Sequence, residues 1–325
     1  MYTIDAHIHF VCDHPDCLAL LAELDLKLLN VCVVHRGDEP WRIQAGRYRQ
    51  LAQTYPDRYA WCTSFDLPDG AADWADHVIA QLGQDFTVDS SAVGCKIWKN
   101  VGMEAVKADG SFLMADDPLF DPVYEYLARV GKPLLAHLGE PLACWQPLGP
   151  QNPHNGYYSH HPEWHMHGRS EFPSHAAITA ARDRVLQKHP ALRMIGAHLG
   201  SLEYNVDEIA RRLDAYPNLA VDTSARTYDL ALQDSNKVRE FIIAYQDRLL
   251  FGTDLVQRDL KWSLDNETRQ QTLDRVREVY QTEWAYYGSN EMVTVRGHVV
   301  RGLSLPQVVL EKLYHKNAQS WFPGL

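Results

Sequence analysis

Four short segments, far apart in the chain, each end a strand-like apolar run with a residue able to bind a metal. They are Asp5-Ala6-His7-Ile8-His9, Leu134-Leu135-Ala136-His137, Met194-Ile195-Gly196-Ala197-His198 and Leu250-Phe251-Gly252-Thr253-Asp254. A fifth, Val93-Gly94-Cys95-Lys96, puts a lysine at an equivalent position. Residues two apart on a strand project to the same face, so His7 and His9 can grip one ion. Three imidazoles and a carboxylate (His7, His9, His137, Asp254) make a mixed nitrogen and oxygen shell suited to zinc, with manganese the alternative. Such a shell leaves a position open for water, whose pKa falls to roughly 7 on the ion. Asp254 is placed to take its proton, and His198 is either a further ligand or the group that polarises a substrate carbonyl.

Eight strand-length apolar runs recur along the chain and supply the frame for these residues: 2–10, 28–35, 59–66, 92–98, 133–140, 193–201, 219–225 and 249–256. Helical patterns alternate with them, for example over 41–54, 174–188 and 205–215. Alternation of this kind implies a parallel sheet, and eight repeats close into a (β/α)8 TIM barrel forming a single domain over 1–325. In that count all the candidate ligands fall at the carboxyl-terminal rim. Two stretches exceed a minimal barrel. The insertion 141–173, rich in proline, histidine and aromatics, leaves the strand carrying His137 and is expected to be a lid. The segment 257–306 is expected to hold a helix over 267–284 and a hairpin over 292–300, ahead of an amphipathic helix over 305–321.

The motif Asp5-Ala6-His7-Ile8-His9, with Gly196-Ala197-His198-Leu199-Gly200, Gly252-Thr253-Asp254 and Asn317-Ala318-Gln319-Ser320-Trp321-Phe322, resembles the amidohydrolase superfamily, most of all its amidohydrolase-2 branch. The likeness covers nearly the whole chain. It implies a barrel metallo-enzyme, and members of that branch include hydrolases, lactonases and nonoxidative decarboxylases. In binuclear branches a carboxylated strand-4 lysine bridges two ions, with the strand-5 and strand-6 histidines on the second. Lys96 is therefore either such a bridge, a free lysine for a substrate carboxylate, or a structural ion-pair partner, and Lys99 could instead point inward. A one-ion site keeps His7, His9, His137 and Asp254.

The leading expectation is a hydrolase in which hydroxide on the ion attacks an ester, lactone or amide carbonyl, with Asp254 passing the proton to the leaving group. The runner-up is a decarboxylase of an unsaturated or aromatic acid, and a barrel that only binds a ligand is the reading from another class. His35, Arg36, Trp98, Glu140, Trp145 and Arg226 end or follow strand-like runs or begin the insertion, where they can meet a small-molecule substrate. The lid histidines lack a Cys or carboxylate partner at fixed spacing and are assigned to lid polarity.

A formal charge of -11 opposes nucleic acid or an anionic membrane surface as the main partner. Six scattered cysteines without a CxxC pair, and no signal-like start, point to the cytoplasm, with a homo-oligomer allowed. Neither Gly-x-Ser-x-Gly nor a phosphate-binding GxxxxGK[ST] loop is present.

Overall fold

The computed structural model describes residues 1–35, 40–257 and 266–325. Eight parallel strands follow one another in chain order: β1 (Thr3–Phe10), β2 (Leu26–Val31), β3 (Tyr59–Thr63), β4 (Gly94–Ile97), β5 (Leu134–Ala136), β6 (Met194–Gly196), β7 (Leu219–Asp222) and β8 (Leu249–Leu250). The sheet closes into a barrel where the chain leaving β8 returns to β1. There Phe251 accepts from the Ala6 amide at 2.9 Å, and the Asp254 amide donates to His7 at 2.8 Å.

The expected eighth run, 249–256, is not one strand. It breaks after Leu250, and a separate strand β9 (Val256–Gln257) pairs in parallel with His9 and Phe10 at the top of β1. Asp254 lies in the break with φ 58°, so its left-handed backbone turns the carboxylate away from the strand path. The second strand also ends earlier than its apolar run, leaving His35 in the following loop.

Strand β1 changes face part-way along. Ile4 and Ala6 join the small inner cluster of the barrel, while Ile8 and Phe10 join the outer core between strands and helices. A register shift between Asp5 and Ile8 is where the exchange occurs, as a bulge re-aims side chains near a site. His7 and His9 are thereby turned inward, and Asp5 outward onto the C-terminal extension.

That inner cluster is completed by Ala318, Trp321 and Phe322. The last helical stretch runs as Gln307–Glu311, a π-helical turn Lys312–Lys316, then Asn317–Trp321. Within the π turn the Leu313 carbonyl accepts from the Phe251 amide at 3.0 Å. Asn317 Nδ2 donates to Gln246 and Leu249 carbonyls at 2.7 and 2.6 Å. The terminal motif thus staples the end of the chain to β8 and plugs the barrel opposite the ligand rim.

The segment after β9 contains a helix, Asn266–Gly288, and an antiparallel hairpin, β10 (Met292–Val295) with β11 (His298–Arg301). The insertion over 141–173 holds short helical turns Leu142–Trp145, Asn155–His160 and Pro162–Trp164. All six cysteines are buried, and no disulfide joins them. No described helix is long and apolar enough to cross a membrane.

Candidate metal centre and cavity

At the carboxyl-terminal rim, His7, His198 and Asp254 bring ligand atoms within 4.8 Å of one another. His9 Nε2 lies 3.4 Å and His7 Nε2 3.7 Å from Asp254 Oδ1. The His137 ring packs 4.3 Å from that of His198, which is 4.8 Å from that of His7. Lys96 Nζ reaches His7 Nε2 at 2.7 Å. His7, His198 and Asp254 thus share one cluster of ligand atoms, with His9, His137 and Lys96 beside it.

The orientation of these rings comes from groups that spacing did not single out. Asp222, the last residue of β7, takes the Nδ1 hydrogen of His7 through Oδ2 at 2.9 Å and the backbone N–H of His198 through Oδ1 at 2.8 Å. Ser224 Oγ lies 3.0 Å from both Nδ1 atoms, and its carbonyl is 2.8 Å from His198 Nδ1. With Nδ1 engaged, each imidazole presents Nε2 to the cluster, the pattern that fixes metal-binding histidines. Asp5 plays the corresponding part for Asp254. It accepts from Thr253 Oγ1 (2.5 Å), the Thr253 amide (3.1 Å) and Tyr280 (2.7 Å), which ties the turn before Asp254 to the extension helix. The acidic residue closing Val221-Asp222 was visible in sequence, but without a ligand-like partner it carried no signal.

Backbone conformation at His198 is as unusual as at Asp254. His198, Leu199, Gly200 and Ser201 all have φ between 57° and 64°, one turn of left-handed helix after β6. Such a run costs roughly 1–2 kcal/mol for each non-glycine residue. The buried Arg182 guanidinium supports it by donating to the Gly200 carbonyl. Gly252 permits the other close approach, since a Cβ there would lie 3.1 Å from His7 Cβ and 3.2 Å from Ser224 Cβ.

Electrostatics prepare the donors for a cation. Burial, with His198, Lys99 and Lys96 nearby, holds the His137 pKa well below the ordinary value. Burial likewise takes His198 down to about 3 against the pull of Asp254. Burial alone would raise the Asp254 pKa, but the His9 hydrogen bond and the His198 and His7 fields outweigh it and hold it well below the usual range. Burial thus favours the lone-pair form of His137 and His198, and the surroundings favour the anion of Asp254. His137 Nε2 is buried without a hydrogen-bond partner, as expected of an atom reserved for a ligand. The donor set fits a divalent ion, provided that the Lys96 contact to His7 is exchanged for it.

Above this floor opens a cavity of about 630 Å³, bounded by the insertion, the loop after β7 and the C-terminal extension. Glu140 and Arg226 line it, with Lys99, Tyr157 and Tyr158. Glu140 accepts from Lys99 and from Tyr158 at 2.9 Å, and Lys99 Nζ sits 3.9 Å from the Trp164 ring centre. His154 Nε2 lies 2.7 Å from Asp229. These buried contacts hold the insertion down on the rim. His35, Trp98 and Trp145 lie outside the lining: His35 and Trp98 pack together with Trp164, and Trp145 donates to the Pro173 carbonyl at 3.1 Å. Arg36 lies outside the described residues.

A family model described as Amidohydrolase (Amidohydro_2) matches residues 47–324. The chain is a member of the amidohydrolase family. No curated protein matches it by sequence. Among solved structures it is similar to a 2,6-dihydroxybenzoate decarboxylase complexed with 2,6-dihydroxybenzoate, at 17% identity and TM-score 0.55, covering 99% of each chain. A putative amidohydrolase from Staphylococcus aureus gives 13% identity and TM-score 0.56 over 100% of both chains. A 4-oxalomesaconate hydratase from Rhodopseudomonas palustris gives 12% and 0.54, covering 99% of this chain and 96% of the other. At these identities the likeness establishes the barrel of this amidohydrolase, whatever the reaction.

Proposed function

We propose that this amidohydrolase is a metal-dependent hydrolase of an ester, lactone or amide carbonyl in a small substrate. The observation that carries the reading is the convergence of His7, His198 and Asp254 beneath the cavity, with the unpartnered Nε2 of His137 beside them. His7, His9, His137 and Asp254 would hold one ion, most suitably zinc. That ion would supply Lewis-acid polarisation of the carbonyl and activation of water at neutral pH.

The chain's own residues do the rest. Asp222 and Ser224 keep the His7 and His198 rings in one orientation. Asp254, anionic and 27% exposed toward the cavity, takes the proton of the attacking water and returns it to the leaving group. His198 lines the cavity beside Asp254, where the substrate would enter. The insertion closes over the site through the Tyr158–Glu140 and His154–Asp229 contacts and limits the entry of bulk water.

A decarboxylase is the second reading. It is supported by the resemblance to the dihydroxybenzoate decarboxylase, and by Lys96 and Arg226, two buried cations at and above the floor. Zinc-loaded protein incubated with lactone, ester and amide panels should release acid, and chelation should stop it. Carbon dioxide release from aromatic or unsaturated acids, without acid release from any ester or amide, would replace the first reading by the second. Turnover unaffected by complete metal removal would sink both.

A further inference from the structure

We infer that the substrate of this cavity carries a carboxylate, and that Arg226 is the residue that selects it. This rests on the metal-dependent reading of the floor only for which bond reacts, not for what the arginine binds. Buried and half-buried arginines elsewhere in the chain are consumed by structure. Arg182 serves Gly200 and Asp183, Arg212 serves Asp183 and Glu208, and Arg248 serves the Leu213, Leu219 and Tyr216 carbonyls. Arg226 differs. It is 8% exposed, its Nη1 donates only to the carbonyl of its own neighbour Ala225 at 3.0 Å, and its Nε is buried without a partner. Among the described residues no carboxylate lies within ion-pair distance of it.

The surroundings keep the guanidinium charged without saturating it. Asp229, Glu203 and Glu140 all act on it through space. Glu140 is engaged at both oxygens by Lys99 and Tyr158, whereas Asp229 is engaged at Oδ1 by His154 and Glu203 at Oε1 by the Leu142 amide, each with its second oxygen buried and beyond ion-pair distance of the guanidinium. Lys99, the other buried cation lining the cavity, is spent on Glu140 and the Trp164 face. Arg226 therefore presents the one cationic fork among the buried lining residues that has no carboxylate partner, and a fork of N–H donors matches a planar carboxylate. Arg275 and Arg296 add exposed positive charge to the same lining, which draws anions toward the mouth of a chain whose net charge is negative.

The test is a titration of the zinc-loaded protein with acetate, benzoate and glutarate, each against its neutral amide, followed by calorimetry. The parent should bind at least one carboxylate more tightly than its amide. Arg226→Gln should weaken that carboxylate about 10- to 100-fold, the loss expected for a charge-assisted hydrogen bond, while amide binding and zinc content stay unchanged. Arg226→Lys should recover only part, because it restores charge without the fork. Equal selectivity in parent and Arg226→Gln, a parallel loss of amide and carboxylate binding, or no carboxylate binding by the parent would overturn the inference. Failure of the metal-dependent reading would appear instead as turnover indifferent to zinc, with the Arg226 selectivity intact.

Discussion

Asp254 illustrates how one carboxylate is prepared by several neighbours at once. Its turn is set by the Asp254 amide bond to His7 and by Asp5 gripping Thr253, and its charge by His9, His198 and His7. Replacing it with asparagine keeps the shape and removes the proton acceptor, so Asp254→Asn should lower kcat by about two to four orders of magnitude with an unchanged melting curve. Activity within a few-fold of the parent would remove Asp254 from the role of base. His7 and His9 make the separate claim on metal. Protein carrying His7→Ala together with His9→Ala should purify without a divalent ion, and elemental analysis giving the parent's content would show that the ion sits elsewhere.

Among the elements, the insertion over 141–173 is attached to the barrel by buried polar contacts rather than by a shared sheet. His154–Asp229, Tyr158–Glu140 and Lys99 against Trp164 all join it to other segments. None of its histidines belongs to the metal cluster, so shortening the insertion should raise KM or alter substrate preference and leave metal content alone. Loss of the ion on shortening would make those histidines ligands. The break after β8 depends on a different constraint, the absence of a side chain at Gly252. A Cβ there would press on His7 and Ser224, two members of the ring-orienting set. Gly252→Ala should therefore destabilise the fold by about 1–3 kcal/mol and weaken metal retention. Denaturation and elemental analysis would check both, and a neutral result in each would show that the neighbours give way freely.

The whole molecule carries an electrostatic cost where the extension closes against the barrel. Glu283, from the helix Asn266–Gly288, lines the cavity with Oε2 unpartnered, and burial pushes its pKa up from 4.5 to about 8, with Asp5 adding to the rise. The folded protein holds this proton more tightly than the unfolded chain. Its contribution to stability is thus fully present below pH 4.5 and is lost as pH rises from there toward 8. Glu283→Gln removes the titration, so its melting temperature should gain on the parent progressively over that window at constant metal loading. A difference between the two that does not change with pH would show that Glu283 titrates normally in the folded protein.

Much of this was legible beforehand, because ligand residue types and barrel periodicity are local properties of the chain. The alternation of strand and helix, the pairing of His7 with His9 and the placement of Lys96, His137, His198 and Asp254 at strand ends each need only a short window. The C-terminal hairpin and helices were legible for the same reason. What tertiary structure decided were the matters that depend on residues hundreds of positions apart. Asp222 orients His7 across a separation of 215 residues, and Tyr280 reaches Asp5 across 275. Neither contact leaves a mark on local spacing. The division of the eighth run into β8 and β9 was hidden for a related reason. Leu255 and Val256 are as apolar as a continuing strand, and it is contacts from distant residues, Leu313 to Phe251, Asp5 to Thr253 and His7 to Asp254, that bend the chain between β8 and β9. The status of Arg226 was equally beyond the sequence, since an arginine's charge is written in its type but its lack of a partner is a fact about every neighbour at once.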